Sequence, residues 1–177
     1  MLRVVGIVAL FVLAACDQTA AKVGPSPSPV IAQGTWTQNL TLTGELPGRI
    51  TTIVADQGTQ QTFCSGAKAR NGETWASTFY TTVDSSASEW QLSINVANFR
   101  GPGTYTNRDV QISLQAPDNS RAWLNQGADP NAKLGADKVT FTIDRSMQSG
   151  TIDAQLTSAA SGKRGAERVV GTWNCRG

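Results

Sequence analysis

The feature that most constrains this chain is an apolar alternation with a period of two, repeated in short runs from residue 36 onward. Trp36, Leu40 and Leu42 share one parity, and Ile50, Thr52 and Val54 continue it after the turn Leu46-Pro47-Gly48. Trp75, Phe79 and Val83 form the next set, then Trp90, Leu92, Ile94 and Val96, the cleanest run in the chain. Val110, Ile112 and Leu114 follow, then Val139, Phe141 and Ile143, then Ile152, Ala154 and Leu156, and finally Val169, Gly171, Trp173 and Cys175. Successive side chains of a strand point to opposite faces, so each run reads as a half-buried strand. Asn71-Gly72, Gly101-Pro102-Gly103, Pro117-Asp118-Asn119, Asp129-Pro130-Asn131 and Ser149-Gly150 stand between runs as breakers. No stretch keeps a helical apolar stripe for three turns. The pattern predicts an all-β domain, an antiparallel β-sandwich or alternatively a small β-barrel, over residues 31–177. Phe141 to Ile152 reads as a hairpin. Ala122 to Asp137 is the least patterned stretch, with room for a short helical turn.

The charge balance narrows function. The 15 Lys+Arg stand against 13 Asp+Glu, which leaves no basic footprint for nucleic acid. There is no His, so Ser-His-Asp and Cys-His catalysis, His metal ligands and His-based pH switching are excluded. No cofactor motif and no clustered acidic run for a metal is present.

Residues 1–16 read MLRVVGIVALFVLAAC. Arg3 makes a short positive start, and Val4 to Leu13 is apolar but too short to span a bilayer. The end, Leu13-Ala14-Ala15-Cys16, resembles the lipobox of bacterial lipoproteins. That resemblance implies a signal peptide over 1–15, cleavage before Cys16, and a diacylglycerylated Cys16 thiol that holds the protein at the extracytoplasmic face of a cell membrane or envelope. Two acyl chains anchor stably where one does not. In enteric bacteria an Asp after the lipidated Cys, as at Asp17, resembles an inner-membrane retention signal. Residues 16–30 then form a linker. Pro25, Pro27 and Pro29 alternate with small residues, so it is extended and semi-rigid, with a reach on the order of 40 Å.

With Cys16 lipidated, Cys64 and Cys175 remain as an even pair, and outside the cytoplasm an oxidised pair is the expectation. The plan of lipobox, polar linker and β domain ending in a late Cys is similar to that of small secreted antigens and lipoproteins of Actinobacteria. The similarity is one of layout and transfers no functional residue.

Few residues combine into recognisable chemistry. Ser65-Gly66-Ala67-Lys68 spells the S-x-x-K of penicillin-recognising enzymes but lacks the S-D-N and K-T-G companions. A carboxylate-dependent hydrolase needs two acids at a controlled separation, and the spacing singles out no pair. Lys163, Arg164 and Arg168 are a small basic cluster that reads as a solvated loop. Among the five Trp, the parity of Trp75, Trp90 and Trp173 is that of core residues, and Trp36 is ambiguous. Trp123 stands in a polar stretch beside Arg121, Asn125 and Gln126, as a ligand-stacking ring would. The alternative, a ring packed onto the sandwich edge, stays open.

The expectation is therefore a lipid-anchored, non-enzymatic envelope protein, bound to the membrane through the lipid on Cys16, with an envelope protein or a glycan as partner. Its alternative is a glycan- or wall-polymer-binding module using Trp123, Arg121, Asn125 and Trp36.

Overall fold

A computed structural model describes residues 38–51, 53, 62–116, 118–125 and 138–175. Trp36, Thr52, Val54, Cys16 and the linker lie outside the described residues.

The eleven strands are β1 (Asn39–Gly44), β2 (Gly48–Ile50), β3 (Phe63–Cys64), β4 (Trp75–Val83), β5 (Ser86–Val96), β6 (Gly103–Thr106), β7 (Val110–Gln115), β8 (Ala122–Leu124), β9 (Val139–Ile143), β10 (Ser149–Ser158) and β11 (Glu167–Asn174). A single turn of 3-10 helix, Gly66–Lys68, is the one helical element among the described residues. All strand pairs are antiparallel, in the order β2-β1-β11-β10-β8-β7-β5-β4-β3, with β9 on β10 and β6 on β9. The sheet curls into a half-barrel, intermediate between the two alternatives that the alternation allows.

The curl pivots on β10. Residues Ser149 to Leu156 pair with β11, and Gly150 to Ala154 also with β9, while Thr157 and Ser158 pair with β8. One strand thus belongs to two halves, the β11 half and the β5 half, that face each other across the core. At the turnover Leu156, Thr157 and Ser158 are all buried, where alternation is suspended. β2 closes one side onto the β4–β5 turn: Arg49 N donates to Asp84 Oδ1 (2.8 Å), Asp84 N donates to Arg49 O (3.1 Å), and Ser85 Oγ donates to Pro47 O. The Cys64–Cys175 disulfide closes the other side, from β3 to the residue after β11.

Trp75, Phe141 and Trp173 fill one end of the core, with ring centroids 5.1–5.6 Å apart. Their indole N–H groups are satisfied by backbone, Trp75 Nε1 to Met147 O and Trp173 Nε1 to Thr142 O. Trp90 and Trp123 pack at the other end, 5.6 Å apart. A buried indole needs both a hydrophobic slot and a partner for its N–H, and each of these finds them.

Two expectations are corrected. Ser149-Gly150 opens β10 rather than breaking the chain; the turn is at residues 145–148, with Met147 at positive φ. A Cβ at Gly150 would run into the Thr142 carbonyl and the Trp173 indole, so only glycine lets β9 approach there. Likewise β8 occupies the start of the stretch that the sequence leaves unpatterned.

Candidate functional site

The segment Arg121 to Asn125 is the site that the sequence points to. β8 pairs Trp123 with Leu114 on one side and Ser158 on the other, which turns the ring inward. Trp123 is 2% exposed, and its Nε1 donates to Glu45 Oε2 (3.0 Å). Asn125 is 1% exposed; its Oδ1 accepts from Ile112 N (2.6 Å) and its Nδ2 donates to Val110 O (2.8 Å) and Asn107 Oδ1 (3.2 Å). Both side chains spend their polar atoms inside the protein, and of the two readings of Trp123 the structure has the ring packed against the sheet. Arg121 is exposed. Its guanidinium lies 4.9 Å from the Trp123 ring and 5.4 Å from the Trp90 ring, and Nη2 donates to Glu45 O (3.0 Å). It caps the aromatic pair by cation–π contact and walls a shallow cleft of about 410 Å³ with Ser86, Trp90 and Asp118.

Below this corner two carboxylates meet. Glu167, at the start of β11, has no exposed surface; its Oε2 accepts from Leu46 N (2.7 Å), and its Oε1 is buried with no hydrogen-bond partner. Burial pushes its carboxyl above the usual glutamate range, and the Glu45 charge adds to the rise. Glu45 in turn accepts from Trp123 and lies 3.6 Å from Lys163 Nζ. A hydrolase needs both acids open to substrate, and Glu167 is closed.

The pair does set a pH response. A carboxyl whose folded pKa is raised holds its proton longer folded than unfolded, so stability falls as pH climbs from about 4.5 through the raised value. Glu167→Gln mimics the neutral form. It is expected to leave the melting temperature near that of the wild type at pH 4 and to exceed it increasingly toward pH 8. A difference that is flat with pH would refute the raised Glu167.

The other sequence candidates resolve into structure. Ser65 Oγ accepts from Ala76 N (3.0 Å), which ties it to β4. Lys163 pairs with Glu45, and Arg168 forms a two-point bond to Asp153 (2.9 Å each), so the basic cluster is dispersed. Tyr105 is buried, accepting from Arg100 N and donating to Gly101 O. No group of His, Cys, Asp and Glu among the described residues is arranged to hold a metal.

The sequence reading passes over the outward face of the β5 half. Across β4, β5 and β7, Gln115 Nε2 donates to Gln91 Oε1 (3.1 Å), Gln91 Nε2 donates to Ser93 Oγ (3.2 Å), and Ser93 Oγ bonds Thr78 Oγ1 (3.2 Å). Tyr80 stands opposite Gln91, and Phe63 opposite Thr78. Phe63 is 52% exposed, the one exposed large hydrophobic residue among those described. The signal for this face is the polar phase of the alternation, uncharged from β4 to β7 except at Glu89.

Comparison with protein-family models, with curated proteins and with solved structures finds no match. What the fold defines is a class: an antiparallel β half-barrel closed by one disulfide.

Proposed function

We propose that this chain is a bacterial envelope lipoprotein, anchored through acyl chains on Cys16 and carrying a non-catalytic binding domain on its Pro-rich linker. The observation that carries the reading is the division of the cysteines. Cys64 and Cys175 pair with each other, which suits an oxidising compartment, and the third cysteine falls at the end of a lipobox.

The test is metabolic labelling with palmitate in a bacterium that matures lipoproteins. The wild-type chain is expected to take up label and to partition into detergent. Cys16→Ser is expected to take up none and to retain its signal peptide. An unlabelled wild type would end the anchoring proposal.

A further inference from the structure

We propose that the outward face of the β5 half, centred on Gln91 with Tyr80 and Phe63, binds a neutral polysaccharide. This names a ligand class for the envelope reading above and rests on that reading only for where the polymer is met.

Three observations carry it. The first is charge. The outward residues Ala76 to Thr82, Gln91 to Asn95 and Gln111 to Gln115 are uncharged, with Glu89 opposite Thr82 at one border and Lys68 in the cleft beside Phe63 at the other, whereas the outward face of the β11 half holds Arg49, Arg168 and Asp153. An amide centre without cations gives an acidic polymer nothing to pair with there. The second is preorganisation. The Gln115–Gln91–Ser93–Thr78 chain fixes two amide planes on a rigid sheet. Each amide has two donors and an acceptor oxygen with two lone pairs, so unused capacity remains on both. Sugar hydroxyls donate and accept at once, and amides held in place meet them without losing rotamer freedom on binding. The third is the aromatic edge. Phe63 and Tyr80 sit on one face as diagonal neighbours, about 7–8 Å apart for such pairs. An aromatic ring stacks on the C–H side of a pyranose, and here two rings stand next to polar groups that pair with its hydroxyls.

A protein partner fits less well. A stable protein interface buries about 800 Å² a side around an apolar centre. Here the centre is amide and hydroxyl, and the exposed apolar group, Phe63, is at the edge strand.

The test uses the mature lipidated protein in detergent, run in native gels that contain soluble β-glucan, mannan, galactan or arabinan, with hyaluronate as the charged control. At least one neutral polymer is expected to retard the protein, and hyaluronate to leave it unretarded. Tyr80→Ala and Gln91→Ala are each expected to weaken that retardation about tenfold, the size of one good contact. Arg168→Ala, on the outward face of the β11 half, should keep it in full. Gln91→Glu, close in size but charged, should also lose it, and a melting curve on each variant separates lost binding from lost folding. No retardation by any neutral polymer would overturn the proposal. So would retardation that survives in folded Tyr80→Ala and Gln91→Glu. Acyl labelling of the same preparation reports on the anchor and is independent of this result.

Discussion

The double variant Cys64→Ser, Cys175→Ser is expected to lose about 4–5 kcal/mol of stability, the loop-closure entropy of a crosslink spanning 111 residues. The position of the bond argues for the upper part of the usual range. β3 is two residues long and holds β4 through only two register pairs, Phe63 with Thr78 and Cys64 with Ser77. A strand that short is poorly stable on its own pairing. The disulfide fastens this edge of the β5 half to the end of β11, which Cys175 N reinforces by donating to Gln148 O (2.7 Å). Urea unfolding of the oxidised wild type against the double variant measures the loss directly. A domain with about 5–15 kcal/mol in hand would become marginal without the bond. A loss under about 1 kcal/mol would show that the reduced chain already holds its ends together.

Trp123→Ala is expected to cost about 3–5 kcal/mol, the usual range for removing a large aromatic from a core. Three losses combine there. The ring leaves a void against Trp90, Arg121 loses the nearer of its two aromatic supports, and Glu45 Oε2 loses the indole donor. Trp123→Phe should restore part of the volume but not the hydrogen bond, and so fall between the two. Chemical denaturation of the three proteins decides the matter. Full stability in Trp123→Ala would return the residue to the surface role that its polar neighbours suggest in the sequence.

That contrast shows how far the sequence could be read. Long runs such as Trp90, Leu92, Ile94 and Val96 span several periods, so their strands and inward faces were legible. β3, β6 and β8 are two to four residues long and complete too few periods to show one. In Ala122-Trp123-Leu124 every residue is apolar, and only the pairing with Leu114 and Ser158 decides that the Trp side is the core. Gly150 looked like a breaker because its reason for being glycine, the Thr142 carbonyl, is supplied by the neighbouring strand. Glu167 has the inward parity of Val169, yet its partner Leu46 N is 121 residues away. The amide row depends on Gln91 and Gln115 falling in register across β5 and β7. Alternation assigns each residue a side, and non-local register decides what stands beside it.

The pairing of β1 with β11 has a consequence for how the protein is made. β1 touches only β2 and β11 along its edges, and Gln38 is hydrogen-bonded to Asn174 across 136 residues. A chain emerging N-terminus first presents β1 and β2 as an isolated hairpin, too small to persist in water. The first strand must therefore wait, unpaired on one edge, until the eleventh has been delivered. The locally paired β4, β5, β7 and β8 need not wait, so the β1 edge of the β11 half is the last part of the sheet to close.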